Sequence, residues 1–398
     1  MSFRGLNRLL AIAAGIFLFA IQLQCAYAQR LLTEREQATI ANNEMRHFGD
    51  APENPGPLAT DLSTSTRPKA VAQAMRKVAD WQLKVAQPYF DRIWTWGALY
   101  TGFMAASDSL GDSKYRDAMM AVGQKFDWKL KYNLGDADNM CVAQTYLELY
   151  LLRNDPAMMR PTQTELDAIL AAPRTSTIPG KEITWWWSDA LFMAPPVWAR
   201  MYAATGDKKY ITYLDEEWAK TSDRLYDTKE HIYARDSTYI TKTEANGKKI
   251  FWSRGNGWVM AGIVRILPYL PQDDPAREKY IKQLQEMAAR VAAIQGPDGL
   301  WRAGMLDPAN YDLPEMSGSA FITFALAAGV NQGILDKKTY RPVIKKAWAG
   351  MIHHVYADGR LGCIQQTGPE PAHFRASASY TYGVGAFLLA GSEIRKMK

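Results

Sequence analysis

Two aspartates are the strongest candidates for chemistry in this 398-residue sequence. Asp138 lies in Asp136-Ala-Asp138-Asn139 and Asp189 in Trp187-Ser-Asp189, each at the start of an apolar, small-residue-rich segment. A carboxylate there has two readings. It caps the helix that follows, which Asp does often, or it moves a proton for a bound ligand. Two neighbours favour the second reading for Asp189. Trp185-Trp186-Trp187 precede it, and their bulk would desolvate a carboxylic acid and raise its pKa toward neutrality. Pro195-Pro196 follow it, and two residues without backbone donors should kink or delay the helix. Arg254-Gly-Asn256-Gly-Trp258 is the third element. Its guanidinium beside exposed backbone suits a carboxylate or sugar hydroxyls, the alternative being a helix-entry turn with a surface arginine. Ser317 in Glu315-Met-Ser317-Gly-Ser319 and Tyr382 in Tyr380-Thr-Tyr382-Gly383 add polar groups that caps and packing would equally explain.

Other chemistries find little support. The sequence holds no Ser-His-Asp arrangement, P-loop or dinucleotide fingerprint. Its five histidines lack metal-ligand spacing and its cysteines lack CxxC spacing, so no metal and no cofactor are expected. The formal net charge is +6, falling to about +4 without Arg4 and Arg8. That surplus is too small and dispersed for nucleic acid, but compatible with an anionic small substrate. Thirteen tryptophans are present, several beside charged residues or glycine, as in Trp94-Thr-Trp96-Gly. Flat apolar faces next to hydrogen-bonding groups match a sugar ring, which has an apolar C–H face and a polar rim.

The elements that must position these groups repeat six times. A short polar or aromatic cluster precedes a small-residue-rich apolar helix at Trp94 to Ser107, Asp138 to Leu152, Asp189 to Ala204, Gly255 to Leu270, Ser317 to Val330 and Ser379 to Ile394. Amphipathic, charged segments lie between them, as expected for helices exposed on one face. Such alternation predicts an all-α fold, an (α/α)6 barrel with the polar clusters at one mouth; the alternative is an open helical array. A short β-hairpin is expected near residues 231–252, turning at Asn246-Gly247. Arg4, Arg8, the uncharged run Leu9 to Leu23 and Ala26-Tyr27-Ala28 read as a signal peptide over residues 1–28, with a membrane anchor as the alternative. Residues 29–398 are then one catalytic domain, exported to a periplasm or secreted. No other segment is apolar enough to span a bilayer. Cys141 and Cys363 are read as unpaired, although an oxidising compartment would permit a bridge.

Several ordered motifs from Trp94 to Ile394 resemble the unsaturated glycuronyl (rhamnogalacturonyl) hydrolases of glycoside hydrolase families 105 and 88. They are Trp187-Ser-Asp189-Ala-Leu-Phe-Met193-Ala-Pro195, Arg254-Gly-Asn-Gly-Trp258, Gly299-Leu-Trp301, Glu315-Met-Ser-Gly-Ser319 and Gly383-Val-Gly-Ala-Phe-Leu-Leu-Ala390. The resemblance implies an (α/α)6 barrel. It implies a substrate oligosaccharide with a Δ4,5-unsaturated uronate at its non-reducing end, the sugar that polysaccharide lyases leave. An acid protonates C4 of the enol ether, water adds at C5, and the hemiketal opens to release the remaining saccharide. By match, Asp189 serves as acid and then base, while Asp138 holds sugar hydroxyls and helps to poise Asp189. Arg254 and Trp258 bind and stack on the unsaturated sugar, with Trp187 beside them. Trp94, Trp96, Asn256 and Ser317 complete the expected substrate-binding set.

This sequence departs from the pattern in two places. Relatives with a Tyr-His pair before the fourth inner helix place a histidine in the site, whereas Tyr233-Ala-Arg235-Asp236 puts Arg235 there. The segment between Gly368 and Tyr380 is short, which predicts an open cleft on that side. Two other classes stay open at this level: a different (α/α)6 enzyme acting on a saturated chain (a lyase or a two-carboxylate glycosidase), and a non-catalytic sugar-binding protein.

Overall fold

The computed structural model describes residues 32–131, 135–172 and 180–397. The signal peptide expected over residues 1–28 lies outside them. Among the described residues no helix is long and apolar enough to cross a membrane.

Six inner helices begin at the six polar clusters. The first, fourth, fifth and sixth are Trp94–Leu110, Ser253–Ile266, Met316–Asn331 and Thr381–Lys396. Every residue of Ser253–Ile266 is buried, as its apolar, small-residue composition on all faces requires. Outer helices separate them: Pro68–Ala86, Lys114–Lys125, Arg160–Ala171, Lys209–Leu225, Pro275–Ala293 and Lys337–Ile352. These are amphipathic. In Lys209–Leu225 the buried residues Tyr210, Tyr213, Leu214, Glu217, Trp218, Thr221 and Leu225 recur at three- and four-residue spacing and form one stripe against the inner ring. Each inner helix packs on the next, and the sixth returns to pack on the first. The ring is closed, so the open-array alternative falls.

The second and third inner helices are broken near their N-termini. The third runs as Ala190–Met193 and then Pro195–Thr205, the interruption that Pro195-Pro196 predicted. Gly262 of the fourth helix lies against this short turn, where a Cβ would come within 2.1 Å of the Leu191 carbonyl oxygen. The second runs as Ala137–Met140 and Ala143–Arg153. This break has no proline and was not expected. The same close approach accompanies it, since a Cβ on Gly97 would stand 2.8 Å from the Val142 nitrogen.

The β structure is smaller and earlier than expected. Tyr226–Asp227 pairs antiparallel with Ile232–Tyr233, and a single Thr243↔Lys249 bridge closes the turn at Asn246-Gly247. The remainder of 231–252 is held by isolated hydrogen bonds and a 3-10 turn at Ser237–Tyr239. Upstream of the barrel, Glu34–Met45 forms a helix whose Thr33–Glu36 capping box was not foreseen. Gly49–Asp50 then pairs antiparallel with Ser379–Tyr380. Cys141 and Cys363 are buried and unpaired, as read from the sequence.

Ring closure depends on a glycine seam. A Cβ on Gly102 of the first helix would lie 2.6 Å from Gly385 Cα, and one on Gly385 would lie 2.3 Å from the Ala98 carbonyl oxygen. Gly385→Ala is therefore expected to destabilise the fold by about 1–3 kcal/mol through overpacking. Urea denaturation measures this, and an unchanged midpoint would contradict the seam.

Candidate active site

The inner-helix N-termini converge at one mouth of the barrel. Trp94 lies edge-on to Trp258 at 6.1 Å and packs on Tyr382 at 5.2 Å, which joins the first, fourth and sixth helices across the opening. The opposite end holds a cavity of about 620 Å3 lined in part by Glu148, Arg200 and Arg265. That end is unsuited to acid chemistry. Glu148 Oε1 accepts from Arg200 at 2.6 Å and from Arg265 at 2.7 Å. Burial alone would raise the Glu148 pKa, but the two guanidiniums outweigh it and hold the group below the usual carboxylate range.

At the N-terminal mouth neither aspartate acts as a cap. Asp136 caps the short helix Ala137–Met140, with its side chain accepting from the Asp138 nitrogen at 3.0 Å. Asp189 occupies the N-cap position of Ala190–Met193, yet its side chain makes no capping hydrogen bond. Ser188 Oγ lies 3.2 Å from Asp189 Oδ2, and Arg235 Nε lies 3.8 Å from the same oxygen. Both carboxyl groups are therefore left to the cleft, with Asp189 retaining 13 % side-chain exposure.

Their protonation differs from the expectation that Asp138 poises Asp189. Burial, followed by the charges of Asp136 and Asp189, pushes Asp138 up to about 8, against the pull of Arg235. Burial also raises Asp189, but Arg235, Arg254 and the hydrogen bond from Ser188 oppose it. Like-charge coupling thus falls on Asp138, because Asp189 is the carboxyl that sits beside cations. With a pKa of about 8, Asp138 holds its proton at neutral pH.

The aromatic wall divides. Trp185 is fully buried against Tyr213. Trp186 and Trp187 pack together at 4.6 Å beside Asp189, and the Arg235 guanidinium lies 5.5 Å from the Trp186 ring. Trp94 keeps partial exposure at the mouth.

Five expected substrate contacts turn out to be occupied elsewhere. Arg254 does not present an open fork. Its side chain is 1 % exposed, with Nη1 donating to the Gln365 carbonyl at 2.7 Å and Nη2 to the Gln366 carbonyl at 2.9 Å. Asn256 is buried and spent on backbone: Oδ1 accepts from Tyr233 N at 2.7 Å, and Nδ2 donates to the carbonyls of Tyr233 and Trp252. Ser317 Oγ donates to Glu315 Oε1 at 2.7 Å inside the cap of the fifth helix. Trp96 is buried edge-on to Phe90. Trp258 has no exposure and fills the barrel axis between Phe192 and Phe321, as a floor below Trp94. The side expected to be open is lined by the N-terminal helix, where Glu36 accepts from the His373 nitrogen at 3.1 Å and Thr367 donates to Asn43 at 2.7 Å.

Sequence reasoning missed two contributors. Asp236 Oδ2 accepts from Arg235 Nη1 at 2.7 Å and orients that side chain; its adjacency to Arg235 was the available signal. Gln365 accepts from Arg254 and from Tyr382 through its carbonyl, and from Trp252 through its side chain. Nothing local in the sequence marks it.

A closed six-hairpin barrel with two proton-binding carboxyl groups and a tryptophan wall at one mouth defines an (α/α)6 carbohydrate-active enzyme. The chain belongs to Glycosyl Hydrolase Family 88, whose family model matches residues 58–398. An "unsaturated 3S-rhamnoglycuronyl hydrolase" of Formosa agariphila is 39% identical over 342 residues, covering 81% of this chain and 90% of its own. Among solved structures, one described as a polysaccharide lyase has a TM-score of 0.77 at 31% identity, over 83% of this chain and 97% of its own. A glycosyl hydrolase family 88 protein from Bacteroides vulgatus has a TM-score of 0.76 at 29% identity, over 83% and 99%.

If Asn256 is a structural tie, Asn256→Ala leaves the buried backbone N–H and carbonyl of Tyr233 without their side-chain partner. It should cost stability by about 1–3 kcal/mol and leave the KM of the folded enzyme unchanged. A raised KM with an unchanged urea midpoint would return Asn256 to the binding surface.

Proposed function

We propose that this protein removes a Δ4,5-unsaturated uronic acid from the non-reducing end of a lyase-generated oligosaccharide by hydrating its C4=C5 enol ether. The observation carrying this reading is the pair Asp138 and Asp189, both with raised proton affinity, at a mouth walled by Trp186 and Trp187. An enol ether needs one strong proton delivery and no carboxylate nucleophile. A site that holds a proton at neutral pH supplies this without a metal or a cofactor.

Asp189 gives its proton to C4 and then takes one from the water that adds to C5. Its place beside the tryptophan wall and its freedom from capping support that role. Asp138, neutral at working pH, donates a hydrogen bond to a ring hydroxyl and keeps a second negative charge out of the cleft. The kinship with an enzyme named for a rhamnoglycuronyl substrate favours rhamnose as the next sugar. The leader read over residues 1–28 favours an exported enzyme, where such oligosaccharides would be met.

A polysaccharide lyase creates the conjugated double bond that this reaction consumes, so the sign of the ultraviolet change separates the two. On an unsaturated disaccharide the absorbance should fall. Asp189→Asn should lower kcat/KM by about 10²–10⁴-fold. Wild-type activity should decline as pH rises through about 8, where Asp138 loses its proton, and Asp138→Asn should lack that limb. Rising absorbance on an intact polysaccharide would favour a lyase, and full activity in Asp189→Asn would remove it from the acid role.

A further inference from the structure

The helix Glu34–Met45 stands outside the matched family domain, which begins at residue 58, yet it docks at the rim of the barrel mouth. Its Glu36 accepts from the His373 nitrogen, and its Asn43 accepts from the Thr367 hydroxyl. Between this helix and the segment 365–373 lies a groove of about 280 Å3, with Arg35 and Thr39 on the helix side and Gln366 and Glu370 on the other. Tyr311 and His373, stacked at 5.3 Å, add an aromatic wall. The segment is tied to both sides of the site. Its Gln365 and Gln366 carbonyls hold Arg254. Its Glu370 Oε2 accepts at 3.1 Å from the hydroxyl of Tyr239, on the turn that follows Arg235 and Asp236. Gln366 is 3 % exposed, and its side-chain oxygen has no hydrogen-bond partner among the described residues. A buried acceptor left unpaired is costly, and the groove that Gln366 lines is where a donor can enter.

Resting on the function proposed above, we propose that this groove is an accessory saccharide site, in which the N-terminal helix holds a neutral sugar further along the oligosaccharide than the residue directly across the broken bond. The charges point to a neutral sugar. Two carboxylates, Glu36 and Glu370, line the groove with one guanidinium, Arg35, which disfavours another anion and suits hydroxyl donors. A ring hydroxyl satisfies the Gln366 side-chain oxygen, and the apolar C–H face of the ring packs against the Tyr311–His373 pair. Position sets the order along the chain. Arg235, 3.8 Å from Asp189, and then Tyr239 stand between the acid and Glu370, so the groove meets a sugar beyond the first one released. The helix thereby makes the enzyme prefer a longer oligosaccharide to a disaccharide.

The test is a ratio of two KM values, that of a lyase-generated unsaturated disaccharide over that of the tetrasaccharide from the same polysaccharide. For the wild type it should be about ten, the worth of one hydrogen bond with its ring contact. Thr39→Trp fills the groove from the helix surface. Gln366→Leu removes the acceptor but keeps the backbone carbonyl on Arg254. Each should bring the ratio to about one, with circular dichroism showing that the variant is folded. A wild-type ratio near one, or an undiminished ratio in either folded variant, would overturn the proposal. Saturation-transfer NMR of the tetrasaccharide on Asp189→Asn reads the same contact without turnover. Its reducing-end sugar should receive saturation, and should lose it when Thr39→Trp is added. If the wild type turns over neither substrate, the function reading fails and the NMR contact alone decides the groove. Contact abolished by Thr39→Trp keeps the site, and contact that is absent or unchanged by it removes the site.

Discussion

Two carboxyl groups are buried together at the barrel mouth with less positive charge around them than their joint ionisation would need. This imbalance governs the behaviour of the site. Burial raises the proton affinity of both; Arg235 and Arg254 oppose the rise at Asp189, while Asp138, beside Asp136 and Asp189, keeps its proton up to about pH 8. A water-filled mouth would let both ionise, and a further free arginine would do the same. Packing excludes the first outcome: burial is the largest influence on both carboxyl groups, and Trp258 below Trp94 has no exposure. The locking of Arg254 onto Gln365 and Gln366 limits the second.

The ring exists in a form that can hold this imbalance because its inner helices are not ideal. Breaks at Cys141-Val142 and Ala194 let the second and third helices begin with a separate short turn. Each short turn turns its aspartate into the cleft rather than onto its own backbone. Gly97 and Gly262 permit the neighbouring helices to close on those turns. Without that close approach the carboxyl groups would lie further apart and be better hydrated. The resulting arrangement gives proton transfer priority over charge stabilisation, which suits addition to an enol ether better than displacement at a saturated anomeric carbon.

Much of the fold was legible because burial on all faces leaves a compositional mark. The six apolar segments rich in Ala, Gly, Leu and Met became the six inner helices, with starts close to those expected. Asp189 was legible for a similar reason: tryptophans before it and prolines after it are local signals of desolvation and of a broken helix. The errors were long-range. Arg254 and Asn256 carry the right chemistry for a ligand, yet buried backbone groups of Gln365, Gln366 and Tyr233 reached them first, while Ser317 went to the neighbouring Glu315 carboxylate. Trp96 and Trp258 were read as sugar platforms, and the packing of Phe90, Phe192 and Phe321 made them core. No periodicity or spacing reports which partner a polar side chain will meet across the ring. The N-terminal helix lining the Gly368 side shows the same limit, since its docking rests on Glu36–His373 and Asn43–Thr367 contacts more than three hundred residues apart in sequence.

The central claim is that the double bond is attacked first and the glycosidic link falls as a consequence. Time-resolved proton NMR of an unsaturated disaccharide with the wild-type enzyme follows both events in one sample. The vinylic H4 signal is expected to vanish ahead of, or together with, the appearance of the free second sugar. Release of that sugar while the vinylic signal of the uronate persists would mean direct hydrolysis at the anomeric carbon, and would contradict the account.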